Sequence, residues 1–290
     1  MIGFEILHYQ TIEDTIACIE SILEFVPNSV IVVVDNASPN GSGGVLARRY
    51  AHNYNITIIH SQQNEGFANG NNIGYKYLKE NYDCNYICCV NNDTLIIENG
   101  FQECIEKIYD DYGFGVLAPK VIMKDGSIQN FNPQLHEKSY YEQEIRILEE
   151  SPNYRSYLKN KGMISVLFDR YPSLMKFIRR IKQKIRKPYS SLMQNVVLHG
   201  CFLIFSKSFI ELFEEPFNNR TFMYREEELL YLRTQKAGLL TLYCEEISIL
   251  HKEDASTNAT YNDKESKYQF MKKNQIASTK ILLEELRNGR

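Results

Sequence analysis

Five short polar segments hold the residue types that can bind a charged ligand and move a proton. Asn91-Asn92-Asp93-Thr94 follows an apolar run and presents a carboxylate with amides and a hydroxyl. Such a set suits Mg2+ or Mn2+, which take their remaining oxygens from phosphate and water; Asx-rich stretches serve equally as turns and helix caps. Asn64-Glu65-Gly66-Phe67 runs into Ala68-Asn69-Gly70-Asn71-Asn72-Ile73-Gly74. Its glycines let backbone approach a ligand closely, and the helix that follows offers amides to an anion. The pattern is neither a GxGxxG fingerprint nor a P-loop with its lysine. Asp35-Asn36 closes an apolar strand, where a carboxylate can accept bonds from ribose hydroxyls or a base N–H, or cap the turn. Tyr224-Arg225-Glu226-Glu227-Glu228 sets three acids side by side. Their repulsion raises the proton affinity of at least one if they are partly buried, which makes a candidate general base; acids also suit a helix start. His251, after an apolar strand, reads as a metal ligand, a phosphate donor or a satisfied, partly buried histidine.

The intervening sequence must position these groups. Ile2 to Leu7 reads as a strand, and Thr11-Ile12-Glu13-Asp14 as a capping box opening a helix that Pro27 ends. Val30 to Val34 is β-branched and apolar, as in a strand buried on both faces. Leu46 to His52 reads as helix, Asn55 to His60 as strand, Asn69 to Tyr82 as helix and Tyr86 to Val90 as strand. A helix over Gly100 to Asp111 and a strand over Gly115 to Ala118 follow. This alternation predicts an α/β fold with a mostly parallel sheet flanked by helices, binding ligands beyond the carboxyl ends of its strands. The clusters at His8-Tyr9, Asp35-Asn36, Asn64 to Gly66 and Asn91 to Thr94 should meet at one sheet edge. Residues 135–192 break the pattern and look helical. Val196 to Phe205 returns to strand, Thr221 to Lys236 reads as helix, Leu239 to Leu250 as one or two strands and Asp263 to Leu286 as a final helix.

The 290 residues, 43% hydrophobic and 24% charged, suit one large domain or a domain with an appendage. A net charge of -3 argues against a nucleic-acid partner. Seven cysteines without paired CxxC spacing predict reduced thiols in a cytoplasmic protein. Glu5 interrupts the first apolar run, so no signal peptide is expected, nor any membrane span. From Arg170 to Lys187 there are eight Lys or Arg and no acid. With Leu174, Phe177, Ile178, Ile181 and Ile185 on one helical face, that stripe fits either a peripheral contact with the inner membrane surface or a solvated helix.

Taken together and in order, these motifs resemble the family 2 glycosyltransferases of the GT-A fold, in the rhamnosyltransferase-like branch that builds bacterial polysaccharides. The resemblance runs over residues 1–125 and 195–257. It rests on Val33 to Ser38, Asn64 to Gly74, Asn91 to Thr94, Phe222 to Glu227 with Leu232-Arg233 and Lys236 to Gly238, and His251. Two positions depart from the family pattern: Asn91 stands for the first metal-motif carboxylate, and Leu229 for a further Asp after the acidic pair. The resemblance implies an inverting, Mn2+- or Mg2+-dependent transfer from a UDP- or dTDP-linked sugar to a saccharide or lipid-linked acceptor. His8, Tyr9, Asp35, Asn36, Asn64 and Gly66 would bind donor, with Phe67, Asn71, Asn72, Asn91, Asn92 and Asp93. Asp93 and His251 would hold the metal, and Glu227, or Glu226, would be the base. His199 and Gly200 would border the acceptor.

The expected organisation is a donor half over 1–134, a basic helical insert over 135–194, an acceptor and catalytic half over 195–257, and a C-terminal helix over 258–290 that offers a dimer surface. Two other classes remain. A sugar nucleotidyltransferase would want a glycine-rich loop with Arg or Lys after the first strand, where His8-Tyr9-Gln10-Thr11 stands. A non-catalytic nucleotide-sugar-binding protein would not need the acidic motif.

Overall fold

The computed structural model describes residues 1–129, 131–162, 166, 169–170, 190–252 and 263–288. Most of the Arg170 to Lys187 stripe lies outside the described residues. The elements, in chain order, are β1 (Ile2–His8), α1 (Ile12–Phe25), β2 (Val30–Asp35), α2 (Ser42–Arg49), β3 (Ile56–His60) and α3 (Gly66–Asn81). There follow β4 (Tyr86–Asn91), β5 (Thr94–Ile96), α4 (Phe101–Tyr112), β6 (Val116–Met123), α5 (Lys138–Glu149) and α6 (Tyr154–Lys161). Then come β7 (Leu192–Gln194), β8 (Phe202–Ser206), α7 (Lys207–Leu212), α8 (Glu226–Lys236), β9 (Thr241–His251) and α9 (Lys264–Asn288).

One sheet runs β3-β2-β1-β4-β8-β6-β9-β5, with β7 on β9. Strands β3, β2, β1 and β4 are mutually parallel. All six residues of β2, VIVVVD, are buried, as an apolar β-branched run between two helical layers should be. Strand β8 enters antiparallel to both β4 and β6, so the second half of the sheet is mixed. Apolar layers cover both faces. Phe4, Ile19, Ile22, Phe101 and Phe202 belong to one, and Val32, Tyr75, Leu78, Phe205 and Phe217 to the other. A smaller cluster of Tyr141, Ile145, Leu229, Leu282 and Leu283 fastens α5, α8 and α9 together.

Three local differences from the sequence reading matter for the site. Thr11 does not cap α1 with its side chain; its Oγ1 accepts a hydrogen bond from Asn92 Nδ2 at 2.8 Å instead. The strand expected from Val196 is confined to β8, which leaves 195–201 as a loop. Helix α8 starts at Glu226 rather than near Thr221, because Tyr224 and Arg225 sit at φ +76° and +70°, outside the right-handed helical region. All seven cysteines are free thiols. No helix among the described residues is long and apolar enough to cross a membrane.

Candidate active site

The parallel strands and the loops beyond them border a cleft of about 400 Å3. Tyr9, Asn36, Asn64, Gly66 and Phe67 border it, as do Asn91, Asn92 and Asp93. His199, Gly200, Glu226, Glu227 and His251 border it from the other half of the chain.

Strand pairing builds one corner. β5 runs antiparallel to β9 with Thr94 opposite His251, and Lys252 N donates to Asp93 O at 2.9 Å. This register sets His251 Nε2 3.2 Å from Asp93 Oδ1. The other ring nitrogen, Nδ1, lies 2.8 Å from Gln129 Oε1. Donation from Nδ1 to that amide oxygen leaves the Nε2 lone pair facing a carboxylate, an arrangement suited to a shared ligand between them. Asn92 is tied back to α1, its Nδ2 donating to Thr11 Oγ1 at 2.8 Å and Thr15 Oγ1 at 2.9 Å.

The loop before α3 is held by Asn36. Its Nδ2 donates to Asn64 Oδ1 and Gly66 O, and its Oδ1 accepts from Glu65 N at 2.8 Å. Gly66 adopts φ +78°, and a Cβ there would lie 2.1 Å from Phe222 O. Phe67 N donates to that same carbonyl at 2.6 Å, so this loop and the loop before α8 share a backbone contact that only glycine permits.

The acidic motif forms the opposite wall. Glu226 is 5% exposed, and its Oε1 has no hydrogen-bond partner. Burial, then repulsion from Glu227, pushes its pKa up to about 8. Glu227, at the cleft wall, is raised to about 7 by withdrawal from solvent and then by Glu228. Its Oε1 accepts from Gly200 N at 3.1 Å, and a Cβ on Gly200 would press on that oxygen at 3.0 Å. His199 Nδ1 accepts from Cys201 N, and burial lowers its pKa to about 4, so it is a neutral ring at physiological pH.

Four residues expected at the ligand face elsewhere. His8 is fully buried, with its ring nitrogens 2.7 Å from Thr15 Oγ1 and 2.7 Å from Ser42 Oγ, and desolvation lowers its pKa to about 4. It joins β1 to α1 and α2. Asp35 accepts from Ser38 N at 3.1 Å and lies 3.1 Å from His60 Nδ1, beside rather than on the cleft wall. Asn71 Nδ2 bonds Phe67 O within its own helix. Asn72 exchanges two bonds with the backbone of Phe217 and so pins α3 to the loop before α8. Conversely, Gln129 and Phe270 belong to the site but had no local signal. One lies in a loop after β6 and the other on the C-terminal helix, and only the fold brings them in.

The model of the family described as glycosyl transferase family 2 matches residues 6–213. No curated protein gives a significant match. Among solved structures, residues 1–349 of Staphylococcus aureus TarS in complex with UDP-GlcNAc align over 99% of this chain and 72% of that one, at a TM-score of 0.53 and 12% identity. The same TarS fragment without that ligand aligns over 99% and 71%, at 0.51 and 10%. The fragment in complex with UDP aligns over 46% of this chain, which spans only 38% of that one, at 0.37 and 17%. At these identities the likeness is one of fold, and the GT-A fold is the one the sequence led us to expect.

Proposed function

The chain belongs to glycosyl transferase family 2, and on that premise we propose that its cleft transfers a sugar from a nucleotide diphosphate to an acceptor hydroxyl, with inversion and with divalent-cation assistance. One observation carries this reading. A carboxylate–imidazole pair, Asp93 Oδ1 and His251 Nε2 at 3.2 Å, borders the same cleft as two carboxyls of raised proton affinity, Glu226 and Glu227.

The residues present fit a Mn2+ or Mg2+ ion. Among the described residues no three metal-ligating side chains cluster, so Asp93 and His251 would hold the ion with diphosphate oxygens and water completing its shell. The cleft border also carries three carboxylates and, among the described residues, no Lys or Arg. A diphosphate seated there would meet no lysine or arginine among the described residues, and a bound ion would supply Lewis acidity to the departing oxygens.

The protein's own groups do the rest. Glu227 takes the proton of the acceptor hydroxyl as that oxygen bonds to the anomeric carbon. The bond from this carbon to the diphosphate breaks, and its electron pair leaves with the diphosphate. Gly200 N–H holds Oε1 and leaves Oε2 to receive the proton. Tyr9, Asn64 and Gly66, which border the cleft, would face the donor. A saccharide or lipid-linked acceptor, in cell-surface polysaccharide assembly, agrees with the branch that the motifs resemble.

Glu227→Gln tests this reading. Calorimetry with UDP- and dTDP-sugars should show donor affinity within about threefold of wild type. Nucleotide release in the presence of acceptor should fall by roughly 10²-fold or more, the usual worth of a general base. Unchanged turnover removes Glu227 from the role.

A further inference from the structure

We propose that the end of the cleft beside Glu226 and Glu227 seats an uncharged pyranose of the acceptor. Its apolar face would rest on Phe222 and Phe270, and one of its hydroxyls would bond to Glu226 Oε1. This rests on the transferase reading above and adds the class of the acceptor.

Three observations point there. Phe222 and Phe270 meet edge-on, with ring centroids 6.1 Å apart and planes at 78°, and both border the cleft beside Met223. They form a partly exposed aromatic corner. Ring faces carry negative charge density, and the C–H face of a pyranose offers polarised hydrogens to it. Phe222 is held in place through its carbonyl, which accepts from Phe67 N at 2.6 Å. Phe270 comes from α9, beyond the matched span of 6–213.

The second observation is the buried Glu226 Oε1 without a partner. An unmet buried oxygen costs about 1–3 kcal/mol, which a ligand hydroxyl would recover. The third is charge. Asp93, Glu226 and Glu227 border the cleft with no Lys or Arg among the described residues. A uronate or phosphate on the seated ring would meet no cationic side chain among the described residues, while a neutral ring meets hydrogen-bonding carboxyls and aromatic faces.

The test is saturation-transfer NMR on the full chain with UDP and diamagnetic Mg2+, using methyl β-glucopyranoside, methyl β-galactopyranoside and methyl β-glucuronide as probes. Transfer to the ring C–H protons of at least one neutral glycoside is expected, at least about fivefold stronger than to the glucuronide. Phe270→Ala should abolish it and Phe270→Tyr should keep it, with the UDP-dependent thermal shift confirming that each variant is folded. In transfer assays Phe270→Ala should raise the acceptor KM by about tenfold or more. No saturation transfer to any probe, equal transfer to the glucuronide, or wild-type behaviour of Phe270→Ala overturns the proposal. A neutral glycoside bound through Phe270 without turnover under any donor sinks the transferase reading and leaves the seat standing. Turnover that prefers uronate acceptors does the reverse.

Discussion

Arg225 donates its Nε to Thr279 Oγ1 at 3.0 Å and its Nη1 to Glu228 Oε1 at 2.8 Å, so the C-terminal helix grips the residue just before Glu226 and Glu227. Its Nη2 also bonds Glu144, and its guanidinium lies 5.1 Å from the Tyr141 ring centroid. The grip matters because Tyr224 and Arg225 both hold positive φ, at +76° and +70°. Each costs on the order of 1 kcal/mol or more and persists only where surroundings over-determine it. We predict that Arg225 is a positioning residue. Arg225→Lys cannot reproduce the fork and should lower kcat by about tenfold, with donor Kd nearly unchanged. Thr279→Val should follow in the same direction and Thr279→Ser should restore activity. Equal losses in kcat and in donor binding would instead mean general structural damage.

Much of this site was visible in sequence because its parts are local. Asp93 sits in a compact polar cluster at the end of an apolar run, Glu227 sits in a run of three acids, and the run of β2 announces a doubly covered strand. What stayed hidden depends on distant partners. His8 stands at a strand end as a ligand-facing group would, but Ser42 and Thr15 occupy both its ring nitrogens. Asn72 belongs by sequence to a glycine- and asparagine-rich ligand loop, but the backbone of Phe217 holds its amide. The late start of α8 had no sequence signature either, since neither Tyr224 nor Arg225 is a residue type that favours positive φ.

The rate should titrate near neutrality. Glu227 must be ionised to accept a proton, and its pKa is raised to about 7, chiefly by burial. Acceptor-dependent kcat/KM should therefore climb with a slope of one on a log scale as pH rises through about 7. In Glu227→Gln that limb should vanish. A rising limb centred in the ordinary carboxylate range would show that another group is the base.

Gln129 should control cation affinity without touching the cation. Its Oε1, 2.8 Å from His251 Nδ1, fixes the ring and leaves Nε2 toward Asp93. Gln129→Leu removes that orientation, and losses of this kind are about 10–100-fold in metal affinity. Mn2+ titration of the UDP-bound protein by calorimetry should show a shift in that range, with maximal rate largely recovered at saturating Mn2+. An unshifted titration would exclude His251 from the metal shell.

Glu226 should leave a mark on stability that is separable from activity. Its pKa rises from an ordinary 4.5 to about 8 in the folded chain, because burial, with Glu227 beside it, disfavours the charge. Between those two values the folded state holds a proton that the unfolded chain has released, so stability falls as pH rises. The contribution is complete below about 4.5 and gone above about 8. Glu226→Gln keeps the shape and removes the titration. Melting of the protein without nucleotide or cation should therefore show the variant gaining on wild type as pH is raised from 6 to 9. A relative gain of roughly 3 °C or more is expected for a chain of this size. A constant offset across that range would mean that the buried carboxyl is already ionised at pH 6, and with it would go the neutral hydrogen-bonding wall on which the acceptor seat depends.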